Sequence, residues 1–326
     1  MTCPRTNPRI LASTVFAALL LTAFFVTGSG AQPNTIRKIA NGVWFREGDT
    51  SQGLSNNVII EMKDYLIVVD ANFPAGARLT LADARKLSPK PVKYVFITHH
   101  HGDHEYGSPI WTAEGAVTFA YKGVVDELNL YEPARWLEAA DARRDVAELH
   151  RNGPEYPKQT FEKSPYIMKD STREVRFLFL GWAHTRGDGL VWLPKERILC
   201  TGDVATNGPY NNTNDANIGN WPKVLAAAEN LKPRFVLPGH GPAGGPEILT
   251  GQASFLEELL SAAQQAYAAG KTLGDIVTLS NGKPVDTSIT LSSRAQHWVG
   301  KSLPTHVANA YSEVANGQPV GALPHP

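Results

Sequence analysis

The stretch VKYVFITHHHGDHEYG, residues 92–107, runs from a β-branched and aromatic segment into a turn with four histidines and an aspartate in six positions. VKYVFI reads as a buried strand. In layered α/β proteins, the loops leaving the C-terminal ends of strands carry the reactive groups. On such a turn His99 and His101 alternate and point to one side, while Asp103 and His104 reach a neighbouring point. Imidazole nitrogens and carboxylate oxygens are the usual ligands of catalytic zinc, which keeps a position open for water. A solvated polar loop has no need of this spacing, so the stretch predicts a metal site at a sheet edge.

A site for two metals needs more ligands than one loop supplies. His184 stands in GWAHTRGD after VRFLFL, Asp203 in CTGD after RIL, and His240 in PGHG after FVL. Each sits in a glycine-bearing turn behind an apolar strand, where backbone can approach a metal closely.

Working outward, residues 36–47 and 56–73 are strand-like, with Lys63-Asp64 as a hairpin turn. ARLTLADARKL, residues 77–87, has helical spacing and stops before Pro89. Residues 123–152 are charged and helical in period, with the breaker Pro133 inside, and read as a helical insertion. A second strand-rich half follows from residue 174, with a helix over WPKVLAAAENL and a short strand over FVLP. Helices around 246–269 and 301–315, joined by a polar stretch, close the chain. Both halves share a plan of strands, a ligand-bearing turn and a helix, which fits an α/β fold of two stacked sheets with helices outside.

The 326 residues are 42% hydrophobic, enough for a substantial core. Thirty-one basic and 31 acidic residues cancel, so no global field attracts nucleic acid or an anionic membrane surface. Arg5 and Arg9 precede the apolar run ILASTVFAALLLTAFFV and the small residues Thr27–Ala31. Residues 1–31 therefore read as an export signal cut near Ala31, giving a periplasmic or secreted protein with no stable membrane insertion. The run is short for a permanent span. Cys3 leaves with the signal, so Cys200 is the one thiol of the mature chain and no internal disulfide forms. The expected organisation is a catalytic domain over 32–280 and a C-terminal helical extension over 281–326.

The ordered set His99-x-His101-x-Asp103-His104, His184, Asp203 and His240 resembles the ligand set of the metallo-β-lactamase-fold superfamily, over roughly residues 36–245. The resemblance implies an αβ/βα four-layer sandwich with a dinuclear site at the sheet edge. It assigns His99, His101 and His184 to one metal and Asp103, His104 and His240 to the other, with Asp203 bridging. His100 matches a position that is not a ligand. The implied cofactors are two zinc ions, with iron or manganese as alternatives. They lower the pKa of a shared water toward neutrality, and Asp103 orients the resulting nucleophile. Asp70 and Thr185 are the candidates for fixing the ligands from behind.

Among the family's chemistries, His101 argues against the flavodiiron branch, and zero net charge with an export signal argues against the nucleic-acid branches. Asp203 in TGD resembles the glyoxalase II and lactonase patterns, whereas cysteine-using zinc β-lactamases carry a thiol at that place. Cys200 lies three residues earlier and reads as a small apolar residue ending a strand. YNNTNDANIGNWPKVL, residues 210–225, is similar to the asparagine-bearing substrate loop of those β-lactamases, with Asn212 in place, but the lysine expected near Thr206 is absent. Tyr210 and Asn212 are the candidate substrate contacts; Trp44, Tyr106, Trp136 and Trp221 read as core. The implied function is hydrolysis of an acyl bond (ester or lactone, thioester, or amide including β-lactam) in a small molecule. The alternatives are a zinc β-lactamase proper, a single-iron persulfide dioxygenase, and a metal-binding accessory protein without turnover.

Overall fold

The computed structural model describes residues 1–2 and 34–322, so the segment assigned to export lies outside the described residues. From Asn34 onward the described residues belong to one compact unit. No helix among them is long and apolar enough to cross a membrane.

The first half contains β1 (Ile36–Ala40), β2 (Val43–Arg46), β3 (Asn57–Glu61), β4 (Leu66–Val69), α1 (Pro74–Leu87), β5 (Val92–Ile97), α2 (Gly102–Glu105), α3 (Ser108–Ala113), β6 (Val117–Tyr121), α4 (Lys122–Ala142), α5 (Arg144–Ala147) and β7 (Gln159–Phe161). The second half contains β8 (Tyr166–Lys169), β9 (Glu174–Leu178), β10 (Leu190–Leu193), β11 (Ile198–Gly202), α6 (Trp221–Glu229), β12 (Phe235–Pro238), α7 (Glu247–Ala268), α8 (Leu273–Ile276), β13 (Val277–Ser280), β14 (Lys283–Thr287) and α9 (Leu303–Asn316). Strands β1 to β7 form one sheet in chain order, and a second sheet runs β12-β11-β10-β9-β8.

Strand alternation explains why these sheets stack. In β10, Val191 and Leu193 face the other sheet while Leu190 and Trp192 face helices; in β5, Phe96 faces the other sheet while Val95 and Ile97 face helices. Phe45, Phe96 and Phe119 from the first sheet meet Phe177, Val191 and Leu237 from the second, filling the space between them. The outer face of the first sheet is covered by α1, α3 and α4, and that of the second by α6, α7 and α9. The result is the expected four-layer αβ/βα sandwich. Because central strands are buried on both faces, they read as continuous apolar runs.

The site's location follows from strand direction. β4 and β5 are parallel neighbours, as are β11 and β12. Parallel strands deliver their following loops to the same edge. The loop starts at Asp70 and Thr98 therefore lie side by side, as do those at Asp203 and Gly239.

Three features differ from the sequence reading. The helix over 122–142 runs straight through Pro133, which is exposed. Strands β6, β7 and β8 lengthen the two sheets; β7 and β8 are mostly exposed, and the apolar side chains of Tyr166 and Ile167 in β8 face solvent. The polar stretch after α7 holds the hairpin β13–β14, turned at Asn281-Gly282 with positive φ at both residues. Asn-Gly is a strong hairpin signal in sequence.

Helix α9 packs on α7 and buries His306, whose Nδ1 faces Thr213 Oγ1 at 3.0 Å. Burial pushes this imidazole down to about 4 from 6.5. Between those values the unfolded chain binds a proton that the folded chain refuses, so stability falls as pH drops through this window. The loss is expected to reach about 3 kcal/mol. Urea unfolding at successive pH values from 7 to 4 should show this slope, and His306→Gln should flatten it.

Candidate metal centre

All seven predicted ligands converge at this edge. His99, His101 and His184 form one group; Asp103, His104 and His240 form another; His99, His104 and Asp203 form a third that links them. Within each group the candidate ligand atoms lie within 4.8 Å of one another. His101 Nδ1 and His184 Nε2 are 3.0 Å apart. On the other side, His240 Nε2 is 3.0 Å from Asp103 Oδ2, and His104 Nε2 is 3.3 Å from His240 Nε2. Asp203 reaches both sides: Oδ1 lies 3.4 Å from His104 Nε2, while Oδ2 lies 3.5 Å from His240 Nε2 and 3.8 Å from His184 Nε2.

For His99, His101, His104 and His184 the second ring nitrogen is committed elsewhere, which sets tautomer and orientation. His101 Nε2 donates to Asp215 Oδ2 at 2.8 Å, and His184 Nδ1 to the Asn212 carbonyl at 2.9 Å. His104 Nδ1 donates to Asp70 Oδ2 at 2.8 Å, and His99 Nδ1 faces Thr98 Oγ1 at 3.0 Å. Asp70 thus supports a candidate ligand and also caps the neighbouring turn, since its Oδ1 accepts from Thr98 N at 2.9 Å. Thr185 does not act in this way: its hydroxyl and its N–H both donate to Asp188.

The donor set suits a cation. His99 Nε2 and Asp203 Oδ1 are buried and have no hydrogen-bond partner. Leaving such atoms unsatisfied costs on the order of 1–3 kcal/mol each, unless a ligand meets them. Burial and the surrounding imidazoles hold His99 and His184 well below their ordinary range, so both stay neutral. Burial works against charge on His104, yet Asp103, Asp203 and Asp70 outweigh it and hold the group well above its usual value. Burial likewise opposes charge on Asp103, but His104 and His240 hold it well below the carboxylate range. Asp203 is pushed up by its burial.

Several site residues escaped the sequence reading. His100, left out of the ligand set by the sequence resemblance, lies in a further His100–His101–Asp215 group with donor atoms within 4.8 Å of one another; it is fully buried and ion-paired through Nδ1 with Glu127 Oε2 at 3.0 Å. Burial disfavours its charge, but Glu127 and Asp215 push it up to about 10. Asp215 accepts from Arg135 Nη1 and Nη2 at 2.8 and 2.9 Å while it holds His101. Burial disfavours its charge too, but His100, His101 and Arg135 hold it well below the carboxylate range. A cavity of about 310 Å³ beside this network is lined by His101, Asp103, Tyr106, Arg135, Asn212 and Asn214, among others. Tyr210 is half-buried, its ring 6.0 Å from that of His240. Trp44, Trp136 and Trp221 belong to apolar clusters, and Tyr106 is 2% exposed. Cys200 is buried between the sheets, and burial pushes its thiol up.

Gly239 shows how tightly the turn approaches Asp203. A Cβ there would lie 2.1 Å from Asp203 Oδ1 and 2.8 Å from the Gly202 carbonyl carbon. Gly239→Ala is expected to displace the carboxylate and weaken metal binding by about 10-fold or more. Titration against a chromophoric chelator measures this.

The model of the metallo-β-lactamase superfamily matches residues 50–240. A metallo-β-lactamase type 2 from Bacillus cereus is 26% identical over 205 residues, covering 60% of this chain and 70% of that protein. One from Bacteroides fragilis is 33% identical over 98 residues, which are 28% of this chain and 39% of that relative's length. Among solved structures, a metallo-β-lactamase from Pontibacter korlensis superposes with a TM-score of 0.56 at 22% identity, covering 68% of this chain and 98% of that one. The mono-zinc form of FIM-1 from Pseudomonas aeruginosa gives 0.53 at 23% identity, covering 69% and 96%. At these identities the structural likeness establishes the fold, and the match over residues 50–240 establishes the family. With its His and Asp groups gathered at the sheet edge, the chain belongs to the metallo-β-lactamase superfamily and is a metal-dependent hydrolase.

Proposed function

We propose that the mature protein is an exported hydrolase that holds two zinc ions and opens an acyl bond of a small molecule. The observation that carries this reading is the pair of three-residue donor groups meeting at Asp203. His99, His101 and His184 would hold one ion and Asp103, His104 and His240 the other, with Asp203 reaching both. Zinc so held supplies Lewis-acid polarisation of a carbonyl and acidifies water. Asp103, kept ionised and facing the cavity, accepts a hydrogen bond from a water and orients it toward the bond to be cut. Tyr210 and Asn212 flank the substrate. Export is supported by the segment 1–31, and a small-molecule substrate rather than nucleic acid by the zero net charge.

Two observations favour a β-lactam as the acyl compound to try first: the relatives' names and the position of Asn212 beside His184. Thr206, buried where a carboxylate-gripping lysine would be expected, weighs toward a lactone or thioester. The test is metal analysis of the mature chain, followed by a chromogenic cephalosporin, a lactone, a thioester and an aryl phosphodiester. Two zinc ions per chain with hydrolysis of an acyl substrate is the expected result. Two zinc ions with turnover of none would refute acyl hydrolysis of these classes, and one iron with oxygen uptake would refute the zinc hydrolase altogether.

A further inference from the structure

The family match stops at residue 240. Yet residues 297–321 run along the whole outer side of the loop 206–219, whose inner side touches the candidate ligands. At the loop's start, Trp298 Nε1 donates to the Thr206 carbonyl at 3.0 Å, and His297 Nε2 meets Asn207 Oδ1 at 2.8 Å. In the middle, Asn309 Nδ2 donates to Thr213 Oγ1 at 2.9 Å and to Asn214 Oδ1 at 3.0 Å. At its end, the Glu313 carboxylate accepts from Ile218 N at 3.0 Å and Gly219 N at 2.6 Å. Gly321 N donates to the Ala216 carbonyl at 3.0 Å, and a Cβ on Gly321 would sit 2.3 Å from the Asp215 carbonyl oxygen.

The inner side makes the matching contacts: the Asn212 carbonyl orients His184, and the Asp215 carboxylate orients His101. Each lies within three residues of a group held by the C-terminal segment. A surface loop of this length ordinarily satisfies its backbone with water and moves. Here a separate helix satisfies it.

We propose that residues 297–321 are a positioning clamp, with Asn309 and Glu313 its principal polar arms. The clamp presets loop 206–219 so that His184 and His101 face the metal position before metal or substrate arrives. This rests on the metal reading above. In particular, α9 is more than a cover for α7, because its polar groups are spent on the loop's backbone and side chains.

The test uses the full chain carrying Asn309→Ala or Glu313→Gln, with two readouts that need no substrate. In the metal-free protein, amide exchange over 207–219 is expected to rise about tenfold, with β5 and β11 unchanged. Zinc affinity, read by competition with a chromophoric chelator, is expected to fall about 10-fold. Asn309 is partly exposed, so its variant should fold even if the Glu313 variant does not. If folded variants keep wild-type exchange and zinc affinity, or lose only global stability, the clamp is refuted. If the wild type binds no zinc, the metal reading fails, and the exchange readout still decides whether the segment fixes the loop.

Discussion

Replacing Asp203 by asparagine is expected to lower turnover by about 10³-fold and to strip bound metal, while leaving the metal-free protein at least as stable as before. The kinetic estimate follows from losing about 4 kcal/mol of electrostatic stabilisation at 1.4 kcal/mol per tenfold. Asp203 places one oxygen near His104 and the other near His240 and His184, so neutralising it weakens both donor groups at once. The stability arm separates a metal role from a structural one. Asp203 Oδ1 has no hydrogen-bond partner, and burial pushes the group up, so its charge is a burden on the metal-free fold. Asparagine keeps the shape and removes that burden. Metal content by atomic spectroscopy, turnover on whichever substrate is found, and urea unfolding with chelator present measure the three effects. A marked fall in metal-free stability would assign Asp203 to the scaffold instead.

Glu127→Ala is expected to destabilise the protein by about 3–5 kcal/mol, the usual result of removing one partner from a fully buried ion pair. Glu127 is 1% exposed and His100 fully buried. The same carboxylate accepts from Arg186 N at 2.9 Å and Gly187 N at 3.2 Å, in the turn that follows His184. The variant therefore leaves the charged imidazole, next to two candidate ligands, with only Asp215 and Glu132 on its Nε2 side, and frees two backbone N–H groups beside a third. Urea unfolding measures the loss. Glu127→Gln, which keeps an acceptor for the backbone, is expected to recover part of it. An unchanged unfolding midpoint for the alanine variant would show that Asp215, already 3.3 Å from His100 Nε2, suffices to hold the imidazole.

The readable parts of this protein were those in which chemistry and period agree locally. The run VKYVFI had to be buried, and a turn bearing His99, His101, Asp103 and His104 had no simpler use than metal. His184, Asp203 and His240 were legible because each follows an apolar strand with a glycine at hand. The supporting network was not legible, for a physical reason. The buried face of α4 includes Glu127, Glu132 and Trp136, so its pattern of apolar residues breaks where acids turn inward to meet His100 and Arg135. The helix itself was legible, but which of its faces is buried is read from apolar residues, and acids on the core face cancel that signal. Asp215, three residues beyond Asn212 in a polar loop, carries no local signal of its role, and only the fold brings it to His101.

By itself, then, the sequence determined which residues are able to bind metal, that they lie in turns after strands, and that two stacked sheets with outer helices accommodate them. These are local properties, set by side-chain chemistry and by periods of two and 3.6 residues. Only the tertiary structure decided which nitrogen of each histidine is free, because that depends on partners such as Asp70, Asp215 and the Asn212 carbonyl, 28 to 114 positions away. It also decided that α9 holds the asparagine-rich loop and that His100 serves as an ion-pair partner. Contacts across such separations leave no period in a single chain; they come into being when parallel strands carry distant turns to one edge.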